Sequence, residues 1–206
     1  MEAINQAALK HDLLVFSDEI YSDLVYDEKF ISAASLPGMQ ERTLMMNGFS
    51  KTYAMTGWRV GYLAVPEWMM NNLIRIHQYS TTTGVTFIQQ GLADSMNLPE
   101  TLEAVERMRK EFDRRRQLVM SLLDDIPQLG YIKPHGAFYF MVDVSDTGMD
   151  GETFSKRLLD ETYTAVVPAK AFGGECESFV RISYAASEET IRKGFQRIKD
   201  FCSNLQ

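Results

Sequence analysis

The spacing of three apolar runs constrains this chain more than any other feature. Leu13-Leu14-Val15-Phe16 leads into Ser17-Asp18-Glu19, Thr43-Leu44-Met45-Met46-Asn47-Gly48-Phe49 leads into Ser50-Lys51, and Val60-Gly61-Tyr62-Leu63-Ala64-Val65 is stopped by Pro66. Each run has the length and composition of a strand, and the first reads as a buried one. Residues 19–42 leave room for the crossover that joins parallel neighbours. Residues 50–59 fall short of the roughly 10 to 12 residues such a crossover needs, so the third strand is predicted to return antiparallel. Asp18 and Lys51 then follow strands running one way, Arg59 precedes a strand running back, and all three reach the same edge of the sheet. Open α/β sheets bind ligands at such an edge.

Beyond Pro66 the periodicity turns helical over residues 67–79, 85–96 and 99–123. Pro99 followed by Glu100 and Glu103 makes a good helix start. The last third alternates, with strands predicted over residues 136–142 and 179–184, a helix over 151–163 and an amphipathic helix over 188–201. The expected fold class is therefore α/β, with a mixed, mostly parallel sheet in residues 1–98. A long linking helix and a small α+β domain follow in residues 99–206. A length of 206 residues and 45% hydrophobic composition are enough for a real core. Residues 1–10 are helical in propensity, but no cap or approach segment precedes them, so the chain is expected to begin inside a structure.

Composition removes several function classes. Lys and Arg number 21 against 28 Asp and Glu, which disfavours a nucleic-acid footprint built on a basic stripe. The densest basic cluster, Arg114-Arg115-Arg116, lies beside Glu111 and Asp113 in a helical pattern and reads as a solvated helix face. Cys176 and Cys202 have neither metal-ligand spacing nor a disulfide framework, which fits a reducing cytoplasm. His11, His77 and His135 are scattered singly, so no metal site is expected. No apolar stretch is long enough to span a bilayer, and the first residues lack the regions of a signal peptide.

The predicted sheet edge carries chemistry. Lys51 is an amine that can form an imine, Asp18 a carboxylate that can hold a ring nitrogen protonated, and Arg59 a planar fork suited to a phosphate. Those are the groups that pyridoxal phosphate requires. Alternative readings stay open for each residue alone: a loop lysine, an aspartate capping a helix after a strand, an arginine in a surface ion pair.

Four stretches, taken in order, resemble the class I and II aminotransferases, the fold-type-I pyridoxal-phosphate enzymes. They are Asp18-Glu19-Ile20-Tyr21, the block from Ser50-Lys51 to Gly57-Trp58-Arg59-Val60-Gly61, Gly136-Ala137-Phe138-Tyr139, and Phe179-Val180-Arg181-Ile182-Ser183. Within that family the wording is most similar to aspartate aminotransferases and their neighbours acting on aromatic or diaminopimelate-type amino acids. The resemblance covers only the C-terminal half of such an enzyme, which leads us to expect a fragment, a truncated product or one domain of a longer protein.

The resemblance implies a role for each matching residue. Lys51 would carry the cofactor and move the proton at the substrate α-carbon, and Asp18, as a buried carboxylate, would pair with the ring nitrogen. Tyr21 would donate its hydroxyl to the cofactor's phenolic oxygen, Arg59 would grip the phosphate, and Ser50 would add a phosphate or lysine-positioning hydrogen bond. Arg181 would bind the substrate α-carboxylate. Tyr53 and Trp58 read as packing residues. The chain departs from the family pattern at Gly48, where many relatives carry a hydroxyl three positions before the lysine, and at Pro168-Ala169, where Pro-Gly is usual. The implied activity is amino-group exchange between an amino acid and a 2-oxo acid, in a cytoplasmic homodimer when complete. A carbon-sulfur lyase on the same scaffold, or a catalytically silent or regulatory ligand-binding module, remain the alternatives.

Overall fold

A computed structural model describes residues 1–205 and divides the chain into two compact units, Met1–Arg109 and the stretch from Lys110 onward. The division falls inside a long helix rather than ahead of it at residue 98.

In the first unit, helix α1 (Glu2–Lys10) precedes strands β1 (Val15–Asp18), β2 (Thr43–Gly48) and β3 (Gly61–Ala64), which form one sheet in the order β1-β2-β3. β1 pairs with β2 in parallel, Val15 opposite Thr43 and Asp18 opposite Met46. β3 returns antiparallel, with Gly48 opposite Gly61, as the short link requires. The crossover through residues 19–42 holds a single 3-10 turn, Ala33–Ser35. Its packing rests on Leu24, Ala33 and Met39, which are buried.

β1 is not the buried strand that its apolar run suggests. Its residues alternate between half-buried and exposed, and Phe16 is 61% exposed, because successive side chains point to opposite faces. Tyr53 packs against Phe49 at 5.5 Å between ring centroids, but Trp58 is 52% exposed and does not act as a packing residue within its unit.

Helices α2 (Glu67–Thr81) and α3 (Thr86–Ser95) follow, and then α4 (Pro99–Asp124), which crosses the division. Among the described residues no helix is long and apolar enough to cross a membrane.

In the second unit β4 (Gly130–Ile132), β5 (Tyr139–Asp143), β6 (Val167–Pro168) and β7 (Phe179–Ser183) form an antiparallel sheet in the order β4-β5-β7-β6. Helices α5 (Gly151–Thr162) and α6 (Glu188–Ser203) pack on it. β5 and β7 turn alternate residues inward, so Phe140, Val142, Val180 and Ile182 join Phe154, Leu158, Phe195 and Phe201 in one core. Both helices carry N-caps. The Asp150 side chain accepts from Thr153 N at 2.7 Å, and the Ser187 hydroxyl accepts from Thr190 N at 3.1 Å.

The arginine run of α4 is not a uniformly solvated face. Arg116 is fully buried, where its guanidinium donates to Asp113 at 2.9 Å and to the carbonyl of Pro134 at 2.8 Å. Its neighbours Arg114 and Arg115 do reach outward, both to Glu111. Three successive helical residues project about 100° apart, so a run of three arginines spreads over more than half the helix circumference and does not share one face.

Gly48 has a steric reason. A Cβ there would lie 3.1 Å from the Val60 carbonyl oxygen and 3.2 Å from the Gly61 Cα, both backbone atoms of the opposing chain. A hydroxyl residue at this position would push β2 and β3 apart. Gly48→Ala should therefore lower the unfolding free energy by about 1 kcal/mol or more, read from urea denaturation.

A second expectation concerns acid. Hydrogen bonds from Arg114 first, and then Arg115, hold the Glu111 carboxyl down to about 2 from its ordinary 4.5. The unfolded chain therefore binds the proton first as pH falls, so this contribution is present above pH 4.5 and fades on the way to about 2. Glu111→Gln should flatten the loss of thermal stability over that window, measured as the melting midpoint against pH.

Candidate active site

The reversal of direction at β2 builds a rim. Asp18 is the last residue of β1, Ser50 and Lys51 follow β2 directly, and Arg59 precedes β3. Asp18, Ser50, Lys51 and Arg59 line one cavity of about 840 Å3, together with Asn47, Gly48, Thr56, Tyr62 and His77. Its apolar wall comes from Phe16, Ile20 and Leu63, and from Met70, Leu73 and Ile74 of α2. The volume falls within the roughly 300 to 1,000 Å3 typical of small-molecule sites. Tyr21 does not line this cavity, but its ring lies beneath Lys51, with Nζ 5.8 Å from the centroid.

Local structure fixes each group. After β1 the chain turns sharply, and Asp18 Oδ1 accepts from Ile20 N at 3.1 Å, the short-range bond by which aspartate stabilises a turn. Asp18 is exposed within its unit rather than buried. The buried carboxylate is its neighbour Glu19, 5% exposed, whose Oε1 accepts from the hydroxyls of Ser17 at 3.0 Å and Ser32 at 2.8 Å and from Ala33 N at 3.0 Å. Strand alternation accounts for the pair: residues 16 and 18 face the cavity side, and Glu19 turns inward to anchor the crossover.

Arg59 caps the 3-10 turn Thr56–Trp58 in the left-handed region, φ 55° and ψ 46°, while its guanidinium donates to the Thr56 carbonyl at 2.9 Å. A left-handed arginine costs roughly 1 to 2 kcal/mol, and conformations of this kind concentrate at ligand clamps.

Arg181 belongs to the second unit, at the centre of β7 opposite Met141 of β5 and Val167 of β6. Its guanidinium carbon sits 4.4 Å from the ring centroids of both Tyr139 and Phe172. Phe172 comes from the stretch that departs from Pro-Gly. There two 3-10 turns, Ala169–Phe172 and Gly174–Cys176, meet at Gly173 with φ 155° and ψ 145°, a conformation essentially confined to glycine. The glycine freedom is thus present, displaced along the loop. Burial pushes the Cys202 thiol up to about 11, which makes it a poor nucleophile.

Sequence reasoning did not single out Asn47, His77, Tyr62, Tyr139 or Phe172 as site residues. Asn47 carried a usable signal, a polar residue near the end of an apolar strand and four positions before the lysine. Tyr139 stood in the resembling Gly136–Tyr139 stretch without a role of its own, and Phe172 carried no signal, because an aromatic residue in a loop is ordinary packing material.

Chemically, the cavity gathers an amine, three hydroxyls, a carboxylate and a guanidinium beside an apolar wall. That set suits a flat, anionic, carbonyl-bearing molecule.

The family "Aminotransferase class I and II" matches residues 1–198. An aspartate aminotransferase of Pyrococcus abyssi is 46% identical over 200 residues, which are 97% of this chain and 51% of that protein. An aromatic-amino-acid aminotransferase of Thermococcus litoralis matches equally, at 46% over 97% of this chain and 51% of its own. Among solved structures, an aromatic aminotransferase from Pyrococcus horikoshii superposes with a TM-score of 0.95 at 44% identity, over 98% of this chain and 54% of that one. The chain thus spans about half the length of the relatives it matches. It belongs to the class I and II aminotransferase family and corresponds to the C-terminal half of such a protein.

Proposed function

We propose that this chain supplies the cofactor-lysine portion of a pyridoxal-phosphate-dependent aminotransferase that exchanges an amino group between an L-amino acid of the aspartate or aromatic type and a 2-oxo acid. One observation carries the reading: Lys51, Asp18, Ser50 and Arg59 line a single cavity. The groups fit the cofactor one by one, an amine for its aldehyde, a carboxylate for its ring nitrogen, and a guanidinium with a hydroxyl for its phosphate.

Bound pyridoxal phosphate contributes an electrophilic carbonyl joined to a ring that holds electron density. Lys51 Nζ would be the nucleophile toward that carbonyl and would then carry the proton released at the substrate α-carbon. Asp18 keeps its partner nitrogen protonated, and a negative carboxylate favours that charged form. Arg59 would hold the phosphate, and Ser50 would add a donor. Tyr21, whose ring lies beneath Lys51, would donate its hydroxyl to the cofactor's phenolic oxygen. Arg181 pairs with the α-carboxylate of the substrate, and two ring faces restrict its guanidinium before the substrate arrives. Cys176 and Cys202 are both free thiols, which suits a reducing cytoplasm, and the complete protein is read as a homodimer.

The test is direct. After incubation with pyridoxal phosphate and reduction with borohydride, peptide mapping should find the modified lysine at residue 51, and Lys51→Ala should abolish the adduct. Adducts spread over other lysines overturn the assignment. Amino acid with 2-oxoglutarate should yield glutamate; ammonia and pyruvate without glutamate would assign a carbon-sulfur lyase instead.

A further inference from the structure

The loop carrying Lys51 and the turn carrying Tyr21 are far apart in sequence, and a chain of side-chain hydrogen bonds ties them together. Thr52, next to Lys51, is 3% exposed, and its hydroxyl donates to Asp23 Oδ2 at 2.9 Å. The same oxygen accepts from the Ser22 hydroxyl at 3.2 Å. Ser22 Oγ in turn accepts from Asn47 Nδ2 at 3.1 Å, and Asn47 Oδ1 accepts from Gly48 N at 2.7 Å. The link therefore runs from the end of β2, through the turn after β1, into the loop after β2. At its centre a carboxylate receives two hydroxyl donors.

The backbone on both sides is fixed by independent means. Leu24 is fully buried and its N–H donates to the Tyr21 carbonyl at 2.9 Å, while Tyr53 N donates to the Phe49 carbonyl at 3.2 Å. The β1–β2 ladder, continued by the Glu19 N–H donating to the Met46 carbonyl at 2.8 Å, already joins the two segments at their base, and the Asp23–Thr52 bond ties them again farther out, next to Lys51. Their separation there is the one read at the functional end, where Lys51 Nζ stands over the Tyr21 ring. A charge-assisted bond from a buried hydroxyl is strong, and deleting its acceptor leaves the Thr52 donor stranded.

We propose that Asp23 is a positioning residue: its carboxylate clamps the Lys51 loop to the Tyr21 turn and so fixes where the Lys51 amine can meet a carbonyl carbon. The inference rests on the reading of Lys51 as the cofactor lysine. Asp23 need not touch a ligand, since it acts through Thr52 on one side and Ser22 on the other. Asn47 reinforces the clamp and lines the cavity as well.

The test compares Asp23→Ala, Asp23→Asn, Thr52→Val and the Asp23→Ala/Thr52→Val double variant in the full chain. The yield of borohydride-stable pyridoxal adduct on Lys51 is measured after a short pulse at several pH values. In parallel, Lys51 acylation by a small neutral reagent is followed without cofactor by mass spectrometry. Asp23→Ala should cut the adduct yield by about tenfold and change Lys51 acylation relative to the other lysines by about threefold, as loss of one charge-assisted hydrogen bond allows. Asp23→Asn, which keeps an acceptor oxygen, should stay within about twofold of the parent. The double variant should match the single ones, because both remove the same link.

Additive losses, or a Lys51 unchanged in Asp23→Ala, overturn the clamp. Absence of a Lys51 adduct in the unaltered chain would instead sink the cofactor reading, and the acylation series, which uses no cofactor, would still judge the clamp.

Discussion

The two-way pairing of β2 is the constraint on which the rest depends. Hydrogen-bonded in parallel to β1 and antiparallel to β3, it places the end of one strand, the exit of a second and the entry of a third at one edge. The approach of β3 is permitted by Gly48 and Gly61, because a Cβ at either would lie 3.1 Å or less from a carbonyl oxygen of the facing strand. Remove that closeness and Arg59 no longer borders the cavity that Lys51 lines. Packing, in this unit, serves mainly to hold a backbone geometry.

The second unit is built on the opposite logic. Its stability comes from a continuous apolar core under an antiparallel sheet, with a buried Arg116 satisfied by Asp113 and a backbone carbonyl. A buried guanidinium is tolerable only with such partners, since its desolvation is otherwise uncompensated. Arg181, half-buried at the centre of β7, is held by other means. Its charge rests against two aromatic faces, an arrangement that suits arginine far better than lysine because the guanidinium is planar and weakly hydrated.

Much of this was legible in the sequence, for identifiable reasons. Strand directions in the first unit follow from loop lengths alone, and the Lys51 block is distinctive because several chemically demanding residues recur at fixed offsets. The short strands β4 and β6 escaped because three and two residues carry no periodicity. Arg116 was misplaced because a run of like charges hides which member faces inward until the helix phase is known. Asp18 is exposed where a buried carboxylate was expected, since a single apolar run does not say which of its faces a strand covers. The Asp23 link was invisible in principle, because it joins side chains 29 positions apart that no local pattern relates.

The crossover between β1 and β2 and the tight link between β2 and β3 confine the whole rim to one stretch of chain. Every ladder pairing that shapes it joins residues between Val15 and Ala64. Closing such short excursions costs little entropy, with each doubling of loop length adding only about 0.6 kcal/mol. Topologically, then, the rim is a local object: a break in the polypeptide anywhere after Ala64 leaves every donor and acceptor of that ladder on a single continuous segment.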